Sequence, residues 1–292
     1  MAAHDSNRKI DDTDLAEYLA TQSGFAFELQ CLQRLHTLGY QCQHGGSYSD
    51  PVTRKIRQFD IRARKSVGSV NVWCAIECKH ISESFPLLVT CVPRRTEESF
   101  HDVLFTRAPE DRRQGLPVDT MWTAATTKFR IESPHSPYRE GKWVGKTAAQ
   151  VGRTKGNEIY GTDEDAFDKW SQALASADEM ATEAVESAEH GDNAAVTIIV
   201  PILVVPNGRL WHAFFDEHGR QVESPFWTDR CSVYVDRGYS TGLIRPTNFT
   251  ISHLEIVTLT GIESLLREVE KPDGMWFPLS KLCSADECAA KC

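Results

Sequence analysis

Two stretches alternate apolar and polar positions with a period of two. In Ile56 to Ala63, Phe59, Ile61 and Ala63 fall on one side and Gln58, Asp60 and Arg62 on the other. In Val70 to Cys78, the residues Val70, Val72, Cys74, Ile76 and Cys78 share a side, while Glu77 and Lys79 point together to the opposite one. Ser66-Val67-Gly68-Ser69 between them has the chemistry of a hairpin loop. Two adjacent strands are therefore expected, folded so that Asp60 approaches Glu77 and Lys79. Upstream, Phe25, Glu28, Leu32 and Leu35 recur at helical spacing, with Ser23 or Gly24 at the start and Gly39 past the end. This puts Glu28 on an inward stripe. A short helix around Asp14 to Ala20 and an irregular strand within Tyr40 to Tyr48 complete the N-terminal part.

Downstream, Phe85 to Cys91 reads as a short apolar segment, Glu97 to Phe105 as a short helix, residues 107–117 as a loop and Asp119 to Ile131 as a strand. Thr147-Ala148-Ala149-Gln150 has the pattern of a capping box and predicts a helix weakening at Gly156. Thr162 and Asp165 open a long helix to about His190, with an inward stripe that includes Phe167, Trp170, Leu174, Ala177, Met180 and Ala184. Its acidic residues, Asp178, Glu179, Glu183, Glu186 and Glu189, are expected to face water. Ala195 to Val205 suits a strand buried on both faces, and Asn207-Gly208 signals a hairpin returning through Leu210 to Phe215. Strands near 232–235 and 254–259 and a helix over 262–269 follow. The reading is one continuous α/β domain over 1–292, without internal repeats.

A hydrophobic share of 41% and a charged share of 25% are ordinary for a globular chain and argue against extended disorder. The formal charge of −9 argues against non-specific coating of nucleic acid, although a local basic patch can outweigh the sum. The longest apolar run, Thr197 to Val205, is too short to span a bilayer, and no signal peptide is evident, so a soluble, cytoplasmic protein is expected. The nine scattered cysteines then read as reduced thiols. Cys74 and Cys78, about 13 Å apart along a strand, cannot share a zinc ion with His80. Cys283, Cys288 and Cys292 read as free thiols.

The strand pair carries the chemistry. Magnesium prefers oxygen ligands and is held by one or two carboxylates plus substrate phosphates; Asp60 and Glu77 would supply that pair. Lys79, about 7 Å from Glu77 along the strand, could orient a water or neutralise charge on a phosphate. Glu-x-Lys alone is a cheap match, since Glu140-Gly141-Lys142 repeats it in a loop. Glu77 and Lys79, however, end a strongly apolar strand, where charges need a reason. Glu28, if inward, is either an ion-pair partner or a member of the same site. Arg54, Lys55, Arg57, Arg62, Arg64 and Lys65 surround Asp60 as a cationic rim suited to a polyanion, or as a solvated strand face. No phosphate loop, Gly-x-Ser-x-Gly elbow or His-Glu-x-x-His helix occurs, and Cys78 with His80 makes a poor thiol-protease pair because Cys78 faces the apolar side.

Taken together, Gly24-Phe25-Ala26-Phe27-Glu28, Arg57-Gln58-Phe59-Asp60 and Ile76-Glu77-Cys78-Lys79 resemble the PD-(D/E)XK nuclease superfamily over residues 20–80. Phe59 stands where many members have proline. The resemblance implies a restriction-endonuclease-like αβββαβ core with a mixed central sheet (residues 20–206) plus an insertion and a C-terminal α/β elaboration (207–292). It implies an Mg-dependent nuclease, with Mn as substitute, acting on DNA more often than RNA and as an endonuclease rather than an exonuclease, in a setting such as restriction or anti-phage defence. Asp60, Glu77 and Glu28 would be metal ligands and Lys79 the catalytic lysine. Gln150 would join the catalytic set and Arg153 the contacts to nucleic acid, on the helix after the Glu-x-Lys strand; capping alone also accounts for Gln150. Two other classes stay open: a nucleic-acid-binding module that does not cut, and an interaction subunit, homo-oligomeric or within a defence complex.

Overall fold

The computed structural model describes residues 9–21, 23–50, 54–68, 70–106, 126–188, 195–241, 247–271 and 274–277. Helices α1 (Asp12–Thr21) and α2 (Phe25–Thr37) precede strands β1 (Gln41–His44), β2 (Ser47–Ser49), β3 (Ile56–Gln58), β4 (Ile61–Val67) and β5 (Val70–Cys78). Next come β6 (Leu87–Pro93), β7 (Phe100–Thr106), β8 (Thr126–Glu132), β9 (Trp143–Arg153) and β10 (Ile159–Thr162), then the long helix α3 (Glu164–Ala188). The chain continues through β11 (Ala195–Val205), β12 (Leu210–Phe214), β13 (Phe226–Trp227), β14 (Arg230–Thr241) and β15 (Thr247–Thr258) to α4 (Gly261–Val269).

This is an α/β structure built on one large mixed sheet, in the order β1-β4-β5-β11-β15-β14-β9-β6-β12-β13, with β10 added at β9 and the β7–β8 pair at β11. β4 and β5 form the expected antiparallel hairpin, with Ile61 opposite Ile76. After β6 to β10 the chain crosses through α3 to β11, which runs parallel to β5 with Val204 beside Cys78. β11 lies between β5 and β15 and is apolar on both faces, as a strand covered on both sides must be.

Alternation along β5 and β11 sorts the core into layers. Val72, Cys74, Ile76, Ile198, Val200 and Ile202 meet Phe27, Cys31 and Leu35 of α2 and Ile262, Leu265 and Leu266 of α4. Ala75 and Ile199 meet Leu174, Ala177, Met180 and Ala184 of α3 on the other face. α2 ends where Gly39 takes φ +82°, a conformation a Cβ disfavours, and the Tyr40 N–H closes back on the Leu35 carbonyl at 3.1 Å.

Several expectations are corrected. Glu97 to Phe105 is not a helix: a single 3-10 turn at Thr96–Glu98 leads into β7, which pairs with the start of β11 and with β8. The capping-box pattern at Thr147 does not start a helix either. That segment is β9, whose Gly145 and Gly152 sit where a side chain would strike Val89 and Val233, or Phe85. The return strand after Gly208 does not pair with β11; β12 runs parallel to β6 and antiparallel to β13. On α2 the inward residues are Phe27, Cys31 and Leu35, with Phe25 exposed. On α3, Glu179 and Glu183 are drawn to Arg62 and Arg64 of β4 instead of lying fully in water, and Phe167 is exposed. Glu189 and the last three cysteines lie outside the described residues.

Buried polar groups tie the C-terminal strands to the rest. His101 of β7 lies between the Ser136 hydroxyl (3.1 Å from Nδ1) and the Trp276 carbonyl (2.9 Å from Nε2). The neutral ring with its proton on Nε2 satisfies both, donating to the carbonyl and accepting from the hydroxyl. Burial holds its pKa down, from 6.5 to about 4. A histidine whose folded pKa lies below its unfolded value contributes stability that is complete above the unfolded pKa and is lost as pH falls through the folded one. Stability is therefore expected to fall between pH 6.5 and 4 by on the order of 3 kcal/mol from this residue, with buried His253 acting in the same direction. Urea midpoints should decline less steeply over that window in His101→Gln than in the unsubstituted protein; equal slopes would remove His101 from the account.

Candidate functional site

The hairpin places Asp60 at the entry to β4 and Glu77 near the end of β5. Glu77 belongs to the odd-numbered face of β5 that looks toward α3, and its side chain is fully buried. Asp60 is held by backbone. The Cys78 N–H donates to its Oδ2 at 2.7 Å, its own N–H donates to Glu77 Oε1 at 3.4 Å, and its carbonyl accepts the Gly45 N–H at 2.8 Å. Those bonds fix two carboxylates side by side at the C-terminal end of β5.

A lysine meets both. Lys169, in the first turns of α3, places Nζ 2.7 Å and 3.0 Å from the two oxygens of Asp60 and 2.9 Å from Glu77 Oε2. Burial pushes the Glu77 carboxyl up to about 8, Asp60 adding to the shift and Lys169 opposing it. Burial also works against the Lys169 charge, but Glu77 and Asp60 outweigh it and hold the ammonium pKa above its ordinary value. Lys169 thus supplies the positive charge that lets adjacent, desolvated acids coexist.

Sequence reasoning assigned the ammonium to Lys79 and passed over Lys169. Lys79 follows β5 directly, its N–H donating to the Val204 carbonyl at 2.8 Å, and its side chain is half-buried. A signal for Lys169 existed: it lies three residues after Ala166 and four before Ala173, both buried, so it interrupts an inward stripe.

Glu28 borders this region from α2. Its Oε2 lies 3.3 Å from His44 Nε2 at the end of β1, and Phe25 and His44 rings are 5.8 Å apart. Both Glu28 and Asp60 act on one neighbour: the Cys78 thiol is held well above its ordinary pKa by its hydrogen bond to Cys31, by burial and by these two charges. Glu28 is therefore half-buried and already paired with a histidine, in the vicinity of the acids.

The other expected residues are dispersed. Gln150 is a buried β9 residue whose amide donates to the Phe85 carbonyl at 3.3 Å. Arg153 ends β9 and bonds the Asn157 carbonyl at 3.0 Å. Of the cationic rim, Arg54 and Lys55 are exposed, and Arg57 pairs with Asp50 at 2.7 Å. Arg62 is buried, stacked on Phe59 at 4.3 Å and bonded to Ser176, Glu179 and Glu183 of α3. Arg64 pairs with Glu183 over the Trp73 ring, and Lys65 with Glu270 at 2.6 Å. Much of the rim therefore stitches β4 to α3 and to the C-terminal region, and so positions Lys169 over the acids.

Among the described residues, no helix is long and apolar enough to cross a membrane. Comparison of the chain with protein families, with curated proteins and with solved structures finds no match.

Proposed function

We propose that this chain is a metal-dependent phosphodiesterase acting on nucleic acid, with DNA the favoured substrate and Mg²⁺ the favoured ion. The observation that carries the reading is the convergence of Asp60 and Glu77, brought together by the β4–β5 hairpin, on one point at the end of a buried strand, the position of the Lys169 Nζ. Three carboxylate oxygens lie within 3.0 Å of that point, a hard-oxygen set that fits a small divalent cation. A resident cation would polarise a phosphate oxygen and supply a nucleophilic water near neutral pH. Asp60 and Glu77 would hold it, and Glu28 would support them from α2. Lys169, on a flexible stem whose side chain is 28% exposed, would turn to the scissile phosphate and neutralise charge developing there. Lys79 leaves the same strand end and is the second candidate for that role.

The strand order supports the same reading. α2, β1, β4, β5, α3 and β11 follow in αβββαβ succession, with β1, β4, β5 and β11 side by side. This is the order that the restriction-endonuclease-like resemblance implies. β6 to β10 would then form the insertion.

One observation favours a second reading, a nucleic-acid-binding or interaction module that does not cut. Lys169 satisfies both carboxylates without a metal, as a structural ion pair would. Two measurements separate them. The purified chain is expected to cut plasmid or linear DNA with MgCl₂ or MnCl₂ and not with EDTA; binding without cleavage of duplex DNA, single-stranded DNA or RNA would favour the silent module. Because ammonium and cation would compete for one point, Lys169→Ala is expected to lower the metal-free Tm and to enlarge the rise in Tm on adding Mn²⁺. A Tm indifferent to Mn²⁺ in both proteins counts against a metal site.

A further inference from the structure

We propose that Cys91, His212 and Cys231 form a zinc site in the part of the sheet built by β6, β12 and β14. The three residues are remote in sequence and lie on three different strands, yet their ligand atoms fall within 4.8 Å of one another. The two sulfurs are 3.8 Å apart. With Zn–S bonds of about 2.3 Å, a tetrahedral ion spans an S···S edge of about 3.8 Å, well beyond the roughly 2.0 Å of a disulfide.

His212 points the same way. Its ring approaches the Arg230 backbone, while its Nε2 is buried and has no hydrogen-bond partner among the described residues. Metal-bound histidines characteristically anchor one ring nitrogen on a backbone or carboxylate group and offer the other to the ion. An imidazole that has a buried, unpartnered nitrogen and lies beside two buried thiols is an incomplete arrangement that a cation would complete.

The neighbouring strand is shaped to allow the approach. β9 lies between β6 and β14, and its Gly145 stands opposite Cys91. A Cβ at position 145 would come within 2.7 Å of Val89, 2.9 Å of Val233 and 3.4 Å of the Cys231 sulfur. With hydrogen there instead, the sulfurs of β6 and β14 meet across the intervening strand.

The chemistry selects the ion. Thiolate and imidazole ligands favour Zn²⁺ or Cu⁺ over Mg²⁺. The His212 ring packs against Phe214 at 5.2 Å and Phe226 at 5.8 Å, and an apolar setting favours a complex without net charge. Two thiolates and a neutral imidazole balance Zn²⁺, whereas Cu⁺ would leave an excess negative charge. On binding, each thiol releases its proton to solvent, two Zn–S bonds and one Zn–N bond form, and nothing is oxidised or reduced. The fourth position remains for water or a small ligand. This site shares no residue with the Asp60–Glu77 pair, so either can fail without the other.

The test uses the full chain purified under reducing conditions. Elemental analysis is expected to find about one zinc per chain, retained in Asp60→Asn. Co²⁺ added to chelator-stripped protein should give a thiolate-to-cobalt band in the near ultraviolet and visible bands of tetrahedral intensity. His212→Ala should weaken cobalt binding by more than ~10-fold, the range seen even for groups that only orient a ligand, and the Cys91→Ser, Cys231→Ser double variant should abolish the band. If those variants do not fold, the cobalt spectrum of the unsubstituted chain decides. Absence of stoichiometric zinc together with a featureless cobalt titration would overturn the proposal, as would a Cys91–Cys231 disulfide in non-reducing peptide maps of freshly purified protein.

Discussion

Glu77→Gln is expected to reduce magnesium-dependent cutting by at least ~10²-fold, the loss typical of removing one charge-stabilising group from an active site, with only a modest loss of stability. The two halves of this expectation have one physical origin. Burial makes ionised Glu77 unfavourable and pushes its pKa up to about 8, so its charge by itself adds little to stability near neutrality. An amide of the same shape keeps an oxygen to accept the Asp60 N–H, and Lys169 keeps both oxygens of Asp60, so only the 2.9 Å bond from Lys169 to Glu77 is lost. A metal ion, by contrast, needs the charged form. Initial cutting rates and urea midpoints, measured on the same preparations, check both halves. Full activity in Glu77→Gln would remove Glu77 from the mechanism. Lys79→Ala and Lys169→Ala, assayed at saturating MgCl₂, then identify the lysine that serves the reaction, since only that one should abolish cutting in a folded protein.

The largest loss of stability is expected from Glu255→Ala, about 3–5 kcal/mol, the range for stripping one partner from a buried ion pair. Glu255 lies on β15 with no exposed side-chain surface. It accepts from Arg230 Nε at 2.7 Å, from Tyr138 Oη at 2.9 Å and from Ser232 Oγ at 2.9 Å. Arg230 reaches on to Glu268 at 2.6 Å, and Glu268 accepts from Trp276 Nε1 at 3.2 Å, so the network binds β14, β15, α4 and residues 274–277 together. Removing the carboxylate leaves the buried Tyr138 hydroxyl and the half-buried Ser232 hydroxyl without their acceptor and a three-quarters-buried guanidinium with one acid fewer. Glu255→Gln, which keeps an acceptor oxygen, should cost much less. Equilibrium urea unfolding measures both, and a midpoint unchanged in Glu255→Ala would show that the network adds nothing to stability.

The candidate site is partly legible in the sequence. Alternation in Val70–Cys78 sufficed to put Glu77 on the face opposite the main apolar side of β5, because a strand's side chains must alternate and an apolar run declares which side is buried. A two-strand run broken by Ser-Val-Gly-Ser brought Asp60 beside it. The lysine was harder. Lys79 is close to Glu77 in sequence, and local spacing is all a strand pattern can express; Lys169 reaches Glu77 across 92 residues. Arg62 failed in the same way: its charge was legible, but the Glu179 and Glu183 that meet it lie on a helix more than a hundred residues later.

What the sequence by itself determined is local and periodic: α2, α3 and α4, the β4–β5 hairpin, and the doubly buried β11. Each follows from a few neighbouring residues whose spacing must match 3.6 or 2. Only the tertiary structure decided that Thr147–Gln150 is strand, where sheet pairing on either side overrides a capping pattern. It also decided that β12 joins β6, that Lys169 sits over the acids, and that Cys91, His212 and Cys231 meet. The physical reason is range: backbone propensity acts over one or two turns of chain, whereas charge pairing and strand order are settled by whatever the folded core brings within a few ångströms.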